Sequence, residues 1–111
     1  MTDRIYSFLG LATKAGKLIS GDDTCEKALK AGKAKLVIIS GDASHNTQKK
    51  FSDMCSYRNV ELRVYGVKDE LGKYIGKGTR SVVAILDREF SNRLIEMIDN
   101  KEYGGERIGK I

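Results

Sequence analysis

The spacing of apolar and polar positions changes several times along this chain, and each change marks an element. From Arg4 to Ala15 the residues Ile5, Phe8, Leu9 and Ala12 recur at intervals of three, one and three. That spacing predicts one apolar helical face, with Gly16 as the stop. Leu18-Ile19-Ser20 reads as a short strand. A second helix is predicted over Asp22–Ala31, ended by Gly32. On it Cys25, Ala28, Leu29 and Gly32 share an inward face, while Asp23, Lys27 and Lys30 share an outer one. Lys35–Ser40, "KLVIIS", is β-rich and apolar throughout, the pattern of a strand buried on both sides. Asp42 or Ser44 is placed to cap a third helix that runs to about Tyr57, with Phe51, Met54 and Cys55 inward.

Glu61–Tyr65 then reads as a strand with Leu62 and Val64 on one side, and Val67 to about Tyr74 as a short helix. Ser81–Leu86 is an apolar strand. Asp87 or Ser91 leads a last helix with the stripe Phe90, Leu94, Ile95 and Ile98. The closing stretch "KEYGGERIGKI" has charge and glycine but no period. Helices between short strands imply an α/β protein, a three-layer α/β/α sandwich with a small central sheet of about four strands. Parallel pairs are expected to cross over right-handed. At 111 residues the chain fits one domain. Its expected limits are residues 1–99, with a flexible tail over residues 100–111.

Composition narrows the classes. Hydrophobic residues at 41% suffice for a core of this size. The longest apolar runs, Leu36–Ile39 and Val82–Leu86, fall far short of the ~20 residues of a membrane span, so no membrane association is expected. The opening Met-Thr-Asp-Arg does not read as a secretory signal. Cys25 and Cys55 stand far apart, without a Cys-x-x-Cys pair or a Cys/His cluster. They are expected as buried, reduced thiols in the cytoplasm, with no metal site and no cofactor. Twenty Lys and Arg against fifteen Asp and Glu give a net charge of +5, a moderate excess compatible with RNA, DNA or an anionic surface. Tryptophan is absent, so an extended stacking platform for single strands is not favoured.

Three segments carry candidate chemistry. In "GDDTCEKALKAG", Asp22 and Asp23 stand at a helix start inside a basic chain. They serve either as caps on the free amides and the helix dipole or as part of a surface that reads base edges, to which a carboxylate accepts and a lysine donates. In "LGKYIGKGTRS", Lys73, Lys77 and Arg80 accompany three glycines and no acid. The spacing fails a nucleotide-binding P-loop, because three residues rather than four separate Gly72 from Gly76. The order fails as well, since this loop leads from a helix into a strand. It is either an ordinary glycine turn with solvated lysines or a backbone clamp for RNA. In "SGDASHNTQKK", His45 is the only histidine. It has no partnered nucleophile or acid cluster, so no catalytic role is assigned and the chain is not expected to be an enzyme.

"GDDTCEKALKAGKAKLVII" followed by "LGKYIGKGTRSVVAIL" resembles the ribosomal L-seven-Ae and L-thirty-e superfamily of kink-turn RNA binders, in its small bacterial YlxQ-type branch. The likeness runs from about Tyr6 to Ile98. The family's helix opens Gly-x-Asn-Glu-x-x-Lys and runs into Ala-Lys-Leu-Val-Ile-Ile. Gly21, Lys27 and the segment Ala34–Ile39 match it, while Asp23 takes the place of the Asn and Thr24 that of the Glu. In the family these side chains contact the tandem sheared G·A pairs of kinked RNA. Asp23 accepts from guanine but does not donate as an amide does. The second contact loop of the family presents small apolar residues to flipped bases, and here it corresponds to Ile75–Arg80.

The resemblance implies a cytoplasmic, non-enzymatic RNA-binding protein, ribosomal or ribosome-associated and monomeric when free. It would dock on structured, kink-turn-like RNA, rRNA included. The implied RNA-binding residues are Gly21, Asp22, Asp23, Thr24, Lys27 and Lys30 at the helix, and Lys73, Ile75, Gly76, Lys77, Thr79 and Arg80 at the loop. The alternative is a protein-interaction or accessory module on the same fold, presenting Asp23, Glu26, Lys27 and Lys30 to a protein partner.

Overall fold

The computed structural model describes residues 3–104, and in these residues five helices alternate with four strands. In chain order they are α1 (Arg4–Lys14), β1 (Leu18–Ser20), α2 (Asp22–Lys30), β2 (Leu36–Ile39), α3 (His45–Arg58), β3 (Glu61–Val64), α4 (Lys68–Tyr74), β4 (Val82–Ile85) and α5 (Arg88–Gly104). The strands form one sheet in the order β1-β4-β2-β3. Strand β4 is antiparallel to both β1 and β2, whereas β2 and β3 are parallel and joined through α3.

Because side chains alternate across a strand, the all-apolar runs of β2 and β4 feed two cores. Leu36, Ile38, Val83 and Ile85 face one side, where Ile5 and Leu9 of α1, Leu71 of α4, and Leu94 and Ile98 of α5 cover them. Val37, Ile39, Val82 and Ala84 face the other, against Cys25, Ala28 and Leu29 of α2 and Phe51 and Cys55 of α3. The result is the α/β/α sandwich expected from the alternation. Each fully buried Leu, Ile or Val contributes roughly 1.5–3 kcal/mol, so burial on the sheet, not helix propensity, holds helices this short in place.

Four expectations are refined or corrected. Ser44 caps α3, its Oγ accepting from the Thr47 N–H at 3.1 Å. Asp42 instead accepts from the Lys68 N–H at 2.9 Å, at the start of α4. Asp87, not Ser91, caps α5, accepting from the Phe90 N–H at 2.9 Å, and Ser91 is buried. Leu62 packs against the α2/α3 core, but Val64 is 57% exposed, because β3 is an edge strand and Val64 is its last residue. Finally, α5 continues to Gly104, so the first residues assigned to the tail extend that helix. The remainder of the tail, 105–111, lies outside the described residues.

Candidate nucleic-acid interface

Strands β1 and β4 are antiparallel neighbours, so the chain leaves β1 beside the point where it enters β4. The Gly21 N–H donates to the Val82 carbonyl at 3.0 Å, which anchors the turn into α2. Gly21 holds φ +98°, a conformation that a side chain would strain. It also occupies the cap position, and no side chain caps the helix. Asp22 is therefore the first residue inside α2 rather than its cap, which corrects that expectation: a cap bond comes from the residue preceding the first turn, and a glycine stands there. The amides of the first turn are left open to an outside acceptor. Asp22, Asp23 and Thr24 are exposed. The two carboxylates suit the positive end of the helix dipole. Lys27 lies one turn on, about 6 Å along the axis, exposed and without an ion pair among the described residues.

The basic loop lies back along α4 and descends toward the same edge of the sheet. The Gly76 N–H donates to the Lys73 carbonyl at 3.2 Å, the Lys77 N–H to Gly72 at 2.8 Å and the Arg80 N–H to Lys68 at 3.1 Å. The Thr79 hydroxyl donates to Asp69 Oδ1 at 3.2 Å. At its end Arg80 reaches across to β1, with Nε donating to Ser20 Oγ at 3.0 Å and Nη1 donating to the Thr79 carbonyl at 3.0 Å. Those two bonds fix the guanidinium one residue from Gly21 in the chain. Lys77 is exposed and forms no ion pair among the described residues.

Gly21, Asp22, Asp23, Thr24, Thr79 and Arg80 are thus gathered at one edge, with Lys27 and Lys77 one step behind on either side. Other candidates are not brought in. Lys30 sits at the far end of α2, about 12 Å from Asp22 along the axis, and pairs with Glu26 at 3.1 Å. Lys73 and Gly76 lie at the far end of α4, where Lys73 Nζ stands 5.9 Å from the Tyr74 ring centroid. Ile75 is a correction. It is 5% exposed and packed in the core under α1, α4 and α5, so its side chain is not a surface contact. An isolated isoleucine at a helix end carries no period to show which way it points.

Three further residues at this edge were not among the predicted contacts. Ser20 orients Arg80. Asp42 holds the start of α4 and has its carboxyl drawn below the usual range. Loss of solvent around the carboxylate, the largest single influence, opposes that shift, but the Lys68 N–H, the Ser40 hydroxyl, its own N–H and the Lys68 charge together outweigh it. Val67 places an exposed apolar side chain at the end of the same turn, where its N–H donates to Tyr6 Oη at 3.2 Å. The general rule that sites form at strand ends was the available signal, but it does not say which strand ends are neighbours. Among the described residues no three His, Cys, Asp or Glu side chains converge to hold a metal, and no helix is long and apolar enough to cross a membrane.

This fold is that of a known class. The model of the ribosomal protein L7Ae/L30e/S12e/Gadd45 family covers residues 3–95, and the chain belongs to that family. It is 43% identical to the RNA-binding protein YlxQ of Bacillus subtilis (strain 168) over 94 residues, 85% of this chain and 94% of that protein. It is 38% identical to the large ribosomal subunit protein eL30 of Yarrowia lipolytica over 88 residues, 77% of this chain and 80% of that one. Among solved structures, a protein of unknown function from Bacillus halodurans superposes with a TM-score of 0.85 at 38% identity, over 88% of this chain and 99% of that chain.

Proposed function

We propose that this chain is a non-enzymatic RNA-binding protein, ribosomal or ribosome-associated, that docks on structured, kink-turn-like RNA. The observation that carries the proposal is the meeting of an uncapped helix start with a pinned arginine at one sheet edge. The open amides and Lys27 face one RNA strand, while Arg80 and Lys77 neutralise backbone phosphate. Asp23 accepts from guanine N1–H or N2–H. The names of the relatives, an RNA-binding protein and a ribosomal protein, support the same direction. Two buried free thiols suit a cytoplasmic protein, and we take it to be monomeric when free.

The test is a titration against a kink-turn RNA and against the same RNA with its sheared G·A pairs replaced by Watson–Crick pairs. Lys27→Ala is expected to cost about 1–3 kcal/mol on the first RNA and far less on the second. The double change Asp23→Asn with Thr24→Glu, which leaves net charge unchanged, is expected to tighten binding to the kink-turn alone. Equal binding of both RNAs by wild type, unmoved by either change, would show that this helix start does not read sheared pairs.

A further inference from the structure

The opposite end of the sheet carries a second surface of different make-up. There the C-terminal ends of α2 and α3, the entry to β2 and the start of α5 enclose an open groove of about 480 Å³. Lys30, Lys35, Arg58 and Arg88 line it, and no carboxylate does among the described residues. Glu26 pairs with Lys30 at 3.1 Å and with Lys50 at 2.7 Å, which leaves Lys35, Arg58 and Arg88 as the groove cations without an ion pair among the described residues. Lys30 and Arg58 also complement the negative ends of α2 and α3. Lys35 and Arg88 belong to neither helix end, and they form no ion pair among the described residues.

Beside these cations stands Tyr57, a ring that is 82% exposed. Burial gains almost nothing from a ring placed so far into solvent. Its neighbour Arg58 is held rigidly, with Nε donating to the Leu29 carbonyl at 3.0 Å and its guanidinium carbon 5.3 Å from the Tyr57 ring centroid. An open aromatic face next to fixed cations is the chemistry that takes a nucleotide: the base stacks while the phosphates are neutralised. An acidic polypeptide would use the cations and leave the ring idle.

We propose that this groove is a second RNA contact, which takes a single-stranded segment with a base stacked on Tyr57 and phosphates on Lys35, Arg58 and Arg88. It rests on the RNA-binding reading but not on the site at the α2 start. The β2–β4 ladder separates the two, the Ser40 N–H bonding the Ser81 carbonyl at one end and the Lys35 N–H bonding the Ile85 carbonyl at the other. That span is about 16 Å. One exposed tyrosine gives a single stacking position, in keeping with a chain poor in aromatics. A protein gripping folded RNA at one edge and a free strand at the other ties two segments together.

The experiment titrates the full chain with a dye-labelled short oligouridylate and with the kink-turn RNA over a range of salt. Tyr57→Ala is expected to weaken oligouridylate binding on the order of tenfold. The double variant Lys35→Ala with Arg88→Ala should lower the salt slope of log K by about 1.4, two contacts at about 0.7 each on a single strand. The edge variant Lys27→Ala with Lys77→Ala should leave oligouridylate binding intact and weaken kink-turn binding. The substituted groove side chains lie at the surface, and thermal unfolding checks that each variant is folded. Groove variants that bind oligouridylate like wild type would overturn the proposal, with the edge reading still standing if the edge variant loses the kink-turn. Loss in the groove variants alone, for every RNA, would instead remove the edge reading and keep this one. A wild type with no affinity for oligouridylate, or one that binds polyglutamate as well and independently of Tyr57, also overturns it.

Discussion

Gly72 shows how one missing side chain shapes the candidate interface. A Cβ there would stand 1.8 Å from the Gly78 carbonyl oxygen and 2.6 Å from its carbon. Both are backbone atoms of the basic loop, so no rotamer change relieves the clash. Within α4 an alanine would gain roughly 0.5–1 kcal/mol over glycine by propensity, while overpacking typically costs about 1–3 kcal/mol. The clash should win. Gly72→Ala is expected to lower the urea midpoint of unfolding and to weaken RNA binding together, because the displaced loop carries Lys77 and Arg80. An alanine variant with wild-type stability and affinity would mean that the loop does not rest on α4. Gly21 differs, since nothing lies within 4 Å of a Cβ there and only its backbone angle demands glycine.

Among the elements, the contrast between α3 and α4 is instructive. Helix α3 is capped locally by Ser44 and stopped by Asn59 in the left-handed conformation. Helix α4 is seven residues long and has no side-chain cap of its own. Its first amides are met from outside, Val67 by Tyr6 of α1 and Lys68 by Asp42 from the turn after β2. The short helix that backs the basic loop is thus fixed by two other segments. Ser44→Ala should destabilise the protein by about 1 kcal/mol, and Ser44→Gly by only a few tenths. Differential scanning calorimetry of the two variants checks this, and equal losses would remove the cap from the account.

The whole molecule should respond to alkali through its thiols. Cys25 and Cys55 lie in the core between the sheet and the α2/α3 layer. Burial pushes the Cys25 thiol up to about 12 and that of Cys55 up to about 11, from an ordinary 9.0. The folded state keeps its thiol protons when the unfolded chain has lost them. Stability from this source is therefore full below pH 9 and is lost as pH rises through the folded values. Each thiol gives a slope approaching about 1.4 kcal/mol per pH unit. Tyr65, raised by burial and by its hydrogen bond to Asp3, acts in the same direction at higher pH. Denaturant unfolding across the alkaline range should show the slope, and Cys25→Ala with Cys55→Ala should flatten it. A pH dependence unchanged in the double variant would mean that these thiols do not titrate differently on unfolding.

What the amino-acid order determined by itself is local. The 3.6-residue spacing of Ile5, Leu9 and Ala12 and of Cys25, Ala28 and Leu29 marked helices and their inward faces. The unbroken apolar runs in β2 and β4 marked strands covered on both sides, and hence three layers. Asp23 and Lys27 fall on one exposed face of α2 because side-chain direction along a helix depends only on position. The tertiary structure alone decided the rest. Arg80 reaches Ser20 across 60 residues and Asp42 reaches Lys68 across 26, because β4 entered the sheet between β1 and β2 and β3 was left at the edge. The same order left Val64 in solvent, while the packing of α4 on α1 and the sheet drew Ile75 into the core. Spacing reports which residues share a face. Which faces then meet depends on strand neighbours, and those are chosen by the burial energy of the whole chain rather than by any segment of it.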